Sequence, residues 1–484
     1  MLRSAALLVL WCAVYATVLW PAWARPLWYD EVLTFHMATS PLGISYFGGG
    51  AGPIESNPPL LYWLVKASIA LFGTAPAAVR LPSVLAFLGA SLILCRLIVE
   101  RLGHLGYGLA AMGIFWSLAP VQLAVEARPY ALLLFCFCAA LYCWLHELRT
   151  GLAISLAGLF LSHGFAPVFG AAIAAGELRK IYDHRRIDWR MWLAMGLPAC
   201  LVVTYLPMIR NTKAILYPAA FGVTPWTLPS FYSGLVLFLL PAVALFGIAW
   251  LVSGKCRIAT PQFAPHETAF VWFALLAPCI VIAYSAVSGV VFWNRYGAGA
   301  AVAVTLLLTY LLARHTQSAT LWAGILLALF CVHRGGTSAL ADKYSNTSQT
   351  YRSIRPDLPF VAASGLAFLE MDHREPNDFT KRLYYLTDRD AAIRLRHATM
   401  FEGLTEARRW FPLRGNVTPY SDFVQKHDQF LVLATPDFPE DWLFARLKED
   451  GARIRLVADE KTPYRDRQLY LVELKPFALG MHSH

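Results

Sequence analysis

Three short stretches of this chain set charged side chains among aromatic or apolar neighbours, and each could do chemistry. Residues 25–34 read Arg-Pro-Leu-Trp-Tyr-Asp-Glu-Val-Leu-Thr, with Asp30 and Glu31 side by side after a long apolar run. Charge beside lipid is costly, so acids in such a place are candidates for function. An ionised carboxylate there can take a proton from a hydroxyl. The plainer alternative is loop acids touching water. Glu126-Ala127-Arg128-Pro129-Tyr130 sets an acid and a base ahead of a proline suited to a helix's first turn. A local Glu–Arg pair capping that helix would explain it as well. Trp293-Asn294-Arg295-Tyr296 fills a very short connection between two apolar runs. Arginine there is either a planar phosphate ligand or a side chain snorkelling to head groups. With Arg128, Arg210 and Lys213 it could form a phosphate pocket, where a lipid phosphate would sit with its tail between helices. His163, in Ser162-His163-Gly164, is more often a packed hydrogen-bonding residue than a catalyst, and stands as a candidate substrate contact.

These residues need a membrane scaffold. The chain has 484 residues, 57% hydrophobic and only 15% charged, with mean hydropathy +0.49. That composition excludes an ordinary soluble enzyme and a disordered chain. Residues 1–333 hold 19 Lys/Arg and 10 Asp/Glu, a net of +9, whereas 334–484 hold the remaining 22 and 21, a net of +1. Excess positive charge confined to the apolar part fits cytoplasmic loops or anionic ligands, and no nucleic acid. Apolar runs predict about eleven spans: 5–24, 79–99, 104–121, 129–147, 151–162, 164–178, 191–209, 230–252, 268–290, 297–313 and 319–333. The densest basic cluster, Arg179, Lys180, Arg185, Arg186 and Arg190, marks a cytoplasmic loop. The other basic loops fall on that side only if 57–73, which carries Tyr62 and Lys66, lies in the outer interface as a juxtamembrane helix. The short pair 151–162 and 164–178 then breaks on the outer side, which suggests a cavity there.

The reading is therefore a polytopic α-helical membrane domain, 1–333, with an outer-face loop and juxtamembrane helix at 25–78. A small soluble α/β domain, 334–484, follows outside the membrane. Strands are expected at 358–363, 381–386, 429–434, 453–458 and 468–474, and a helix at 439–450. Nine cysteines without a C-x-x-C pair read as buried hydrophobes, with no disulfide framework or zinc site. There is no G-x-G-x-x-G and no Walker loop.

Trp28-Tyr29-Asp30-Glu31, Asn57-Pro58-Pro59-Leu60-Leu61-Tyr62-Trp63, Arg80-Leu81-Pro82-Ser83 and Glu126-Ala127-Arg128-Pro129-Tyr130-Ala131-Leu132, in that order, are the telling blocks. Together they resemble the GT-C membrane glycosyltransferases. The similarity is to the bacterial group related to protein O-mannosyltransferases, lipid A aminoarabinose transferases and rhizobial galacturonosyltransferases, and covers about 1–315. It implies Asp30 as general base with Glu31 beside it, and Arg295-Tyr296 against a lipid phosphate. His163 falls where such enzymes often carry a polar residue in a helix break. Relatives often place an Asp where this chain has Tyr130, with Glu126 four residues earlier. Tyr62, Lys66, Glu126, Arg128 and Tyr130 complete the expected substrate contacts.

The resemblance implies inverting transfer of a sugar from a polyprenyl-phosphate donor to a lipid A, glycan or protein acceptor at the outer face of a bacterial inner membrane. No cofactor or metal is expected; the partners would be donor, acceptor and membrane lipids. A transporter or flippase of lipid-linked sugars is the main alternative, using the same basic cavity without needing Asp30. A non-catalytic envelope scaffold is the third reading.

Overall fold

A computed structural model of the chain describes residues 2–40, 57–207, 223–253, 263–288, 291–341, 349–396, 403–435, 442–460 and 467–474. Arg210 and Lys213 lie outside the described residues. Two compact units divide the chain: Met1–Arg25, Asn57–Leu206 and Gly222–Asp342 in one, and Pro26–Ser56, Pro207–Phe221 and Lys343–His484 in the other. The division is not a single cut in sequence, because Pro26 onward joins the C-terminal residues rather than the apolar helices that flank it.

The first unit is helical. Among the described residues, four stretches are long and apolar enough to cross a membrane, Ser4–Ala24, Pro76–Leu102, Thr227–Leu251 and Pro265–Ser288. Leu105–Ser117 and Ala119–Val125 form a pair bent by 82°, with Pro120 in the first turn after the bend. Six further apolar helices among the described residues have 10–17 residues. The eleven expected spans thus become, among the described residues, four long helices, one bent pair and several short ones. Hydropathy counts apolar residues and does not see where a proline or glycine ends the hydrogen-bond ladder. The expected helix at 57–73 is Leu60–Phe72, 13 residues, which at about 1.5 Å per residue is too short for a hydrocarbon core of about 30 Å.

Buried contacts lock the first helix, Leu2–Ala24, to Pro76–Leu102. Arg80 is fully buried and donates to the carbonyls of Trp23 (2.7 Å) and Arg25, the orphan acceptors at the first helix's end. Tyr15 donates to Val84 O at 3.1 Å and Trp23 Nε1 to Ala77 O at 2.7 Å. Several residues of the basic loops pair with acids, including Arg101 with Glu267 and Arg149 with Asp188 (2.8 Å).

The second unit carries a six-stranded sheet ordered β3-β2-β1-β4-β6-β5. Its strands are β1 (Phe360–Ala362), β2 (Leu383–Thr387), β3 (Asn416–Pro419), β4 (Gln429–Ala434), β5 (Arg453–Glu460) and β6 (Arg467–Glu473). The pairs β1–β2, β2–β3 and β1–β4 are parallel, and β6 is antiparallel to β4 and β5. Strands β1 and β4 are buried almost throughout, as a parallel centre covered on both faces requires. The edge strand β5 alternates toward exposure. The sequence reading missed β3, whose four residues end on a proline and show no apolar alternation. It placed the helix at 439–450, of which Leu443–Glu449 forms.

Candidate active site

In the first unit, three interruptions of helical structure gather the expected residues. The bend at Leu118 leads through Ala119–Val125 to an extended Glu126, and Pro129 then caps Tyr130–Leu145 at φ −69°, its natural value. A turn at 161–165 separates Arg149–Phe160 from Ala166–His184. A short 3-10 turn, Asn294–Gly297, precedes Ala300–His315. The approach is close enough that a Cβ on Gly299 would lie 2.4 Å from the Phe169 ring.

The rings of Tyr130, His163 and Tyr296 form a triangle, with centroids 5.1, 5.4 and 6.2 Å apart. Phe165 packs on His163 and Tyr296 at 5.7 and 5.2 Å. The Arg295 guanidinium lies 5.6 Å from the Tyr130 ring centre and 5.7 Å from that of Trp293, within cation–π range. The charges of Arg128 and Arg295 both act on the His163 ring. His163 Nδ1 accepts the Phe165 N–H at 3.1 Å. A neutral ring therefore carries its proton on Nε2, leaving that nitrogen a donor. Arg128, Tyr130 and His163 are all buried. Two guanidiniums, one imidazole donor and a wall of aromatic faces suit an anion attached to an apolar body.

Glu126 exerts its charge on Arg334, which Arg25 and the Tyr15 hydroxyl also influence. Tyr62 is buried on Leu60–Phe72, whereas Lys66, one turn later, is exposed. The start of that helix is tied to the 161–165 turn, Leu60 N donating to Leu161 O at 3.2 Å.

Asp30 and Glu31 lie in the second unit, in the first turn of helix Tyr29–Thr39, and both are buried. Glu31 Oε2 accepts the Trp28 N–H at 3.1 Å, so this carboxylate reaches back to cap its own helix. Asp30 gives its carbonyl to Thr34 Oγ1 at 3.1 Å. Further along, the His36 ring stacks on Phe411 at 5.1 Å and lies 6.3 Å from His373. His36 is 4% exposed, and among the described residues neither ring nitrogen has a hydrogen-bond partner. Burial, then the charges of His373 and Arg414, push its imidazole down to about 4. Among the described residues no three His, Cys, Asp or Glu groups come together as a metal site.

Residues 56–176 match the family model described as dolichyl-phosphate-mannose-protein mannosyltransferase. No curated protein matches the chain by sequence. Among solved structures, ArnT from Cupriavidus metallidurans bound to undecaprenyl phosphate is similar at TM-score 0.58 and 13% identity, covering 96% of this chain and 98% of that one. The fold is that of the GT-C membrane glycosyltransferases. The apo state of the same ArnT matches at TM-score 0.50 and 15% identity over 97% of this chain and 98% of that one.

Within the GT-C fold, the motif residue Arg80 acts as the cap on the first helix, a role its sequence block did not disclose. The sequence reading did not single out Arg334. The signal was present, since Arg334 directly follows the last apolar run. His36 carried no signal, because its burial depends on Phe411 and His373, far along the chain.

Proposed function

We propose that this chain is an inverting glycosyltransferase. It moves a sugar from a polyprenyl-phosphate donor to an envelope acceptor, a lipid A, glycan or protein hydroxyl, at the outer face of a bacterial inner membrane. The observation that carries the reading is the cluster of Arg128, Arg295, His163, Tyr130 and Tyr296, set at helix breaks of a GT-C fold. An ArnT of that fold was crystallised with undecaprenyl phosphate, which supports a lipid phosphate as the anion.

Asp30 acts as general base. Its carboxylate takes the proton from the acceptor hydroxyl as the oxygen bonds to the anomeric carbon. The bond from that carbon to the phosphate oxygen breaks, and polyprenyl phosphate leaves with the added negative charge. Arg128 and Arg295 stabilise that charge, most strongly where water is excluded. Tyr130, Tyr296 and His163 line the phosphate site, Tyr62 and Lys66 contact substrate beyond it, and Glu31 fixes the helix that carries Asp30. The loop at 179–190 lies in the cytoplasm and 334–484 in the periplasm.

Purified protein given synthetic polyprenyl-phosphate sugars should release polyprenyl phosphate and glycosylate an envelope extract, read by mass spectrometry. Movement of the lipid-linked sugar across proteoliposomes, without cleavage of the phosphate bond, would instead identify a transporter. For location, an impermeant maleimide on intact spheroplasts should label Asp390→Cys and leave Arg186→Cys unlabelled until lysis. The opposite pattern would invert the assignment.

A further inference from the structure

We infer that the C-terminal α/β region, through Glu370 and Arg374, is the mount that orients Asp30. The inference rests on the reading of Asp30 as base. Three consecutive backbone groups just before Asp30 are each held by a charged side chain. The Leu27 carbonyl accepts from the Arg374 guanidinium. The Trp28 N–H donates to Glu31 at 3.1 Å, and the Tyr29 N–H to Glu370 Oε1 at 3.1 Å. Two of the three holders stand one turn apart on one helix, Gly365–Arg374. Their spacing places both side chains on the same face.

That helix is itself clamped to the sheet. It follows β1 directly, with Ser364 Oγ accepting the Leu366 N–H at 3.2 Å. Asp372 accepts the N–H groups of Arg414 (2.8 Å) and Gly415 (2.5 Å), just ahead of β3. Glu370 is steadied by Arg374 at 3.9 Å and by Arg467, the first residue of β6, at 3.8 Å. Phe35 packs on His373 at 5.1 Å, and His36 stacks on Phe411, so the far end of helix Tyr29–Thr39 is held as well. The chain from the sheet to Asp30 is thus continuous: β1, the 365–374 helix, Glu370 and Arg374, the backbone of 27–29, then the carboxylate.

A carboxylate works as a base only when its lone pair meets the acceptor hydroxyl at hydrogen-bond distance, and a displacement of about 1 Å can cost on the order of a hundredfold in rate. Glu370 and Arg374 are positioning residues: they act on the reaction through Asp30.

The test is a double-mutant cycle in the purified full-length protein, read as transfer from a synthetic polyprenyl-phosphate sugar. Glu370→Ala should lower kcat by about ten- to a hundredfold with donor KM unchanged. Glu370→Gln keeps an oxygen to accept the Tyr29 N–H and should restore most of the turnover. In an Asp30→Asn background, Glu370→Ala should lower turnover no further, because the group it positions is already gone. A full second penalty in that background, or wild-type kcat in Glu370→Ala, overturns the inference. Where Glu370→Ala fails to fold, Arg374→Ala and Arg374→Lys take its place in the same cycle. Wild-type turnover in Asp30→Asn alone would remove the reading of Asp30 itself, an outcome separate from any failure of Glu370.

Discussion

The two units hold their charged side chains in opposite ways. In the helical unit, Arg295 rests against the faces of Tyr130 and Trp293. A π face attracts a cation through its quadrupole. In the second unit, Glu31, Glu370 and Arg374 spend their polar atoms on the backbone beside Asp30. Under the proposed function, the first arrangement holds the guanidinium beside the donor phosphate. The second suits a group that must not move. Stabilising an anion requires positive charge aimed at it, whereas removing a proton requires a fixed lone pair.

Asp30→Asn tests the rigid side with the largest expected effect: turnover should fall by about 10²–10⁴-fold, the usual worth of a general base. The next is a pH effect on the second unit. Above 6.5, both folded and unfolded chains carry a neutral His36 ring. As pH falls from 6.5 to about 4, only the unfolded chain takes up the proton, so stability should fall by about 3 kcal/mol in all. His36→Phe keeps a ring against Phe411 and should flatten that part of the melting-temperature profile. An unchanged profile would mean that His36 charges without cost.

On the soft side, Arg295→Ala should weaken donor binding by about 2 kcal/mol, the scale of a hydrogen bond to a charged group. Arg295→Lys should recover part of it, keeping charge but losing the planar fork. Equal donor affinity in all three forms would return Arg295 to head-group snorkelling. Glu31→Gln should cost least, about 1 kcal/mol of stability with modest loss of rate, since its carboxylate caps its own helix. A loss as deep as that of Asp30→Asn would make Glu31 the base.

Much of this was legible in sequence where the signal is local. The apolar runs, the strand Gln429–Ala434 and the break at His163 are properties of ten or twenty residues each. The triangle of Tyr130, His163 and Tyr296 was legible only as three separate oddities. What stayed hidden depends on pairs distant in sequence. Tyr29 meets Glu370 across more than three hundred residues, and Glu370 sits in an ordinary amphipathic helix with no motif around it. Other helix breaks stayed hidden for a related reason: apolar composition persists through bends such as the one at Leu118.

The central claim is that Asp30 takes the proton of the acceptor hydroxyl and that Arg295 holds the donor phosphate. Its most direct measurement is turnover beside donor binding for purified Asp30→Asn and Arg295→Ala, using one synthetic polyprenyl-phosphate sugar. The account predicts that Asp30→Asn binds donor as the wild type does while turnover collapses, and that Arg295→Ala loses donor affinity. Near-wild-type turnover in Asp30→Asn would contradict it.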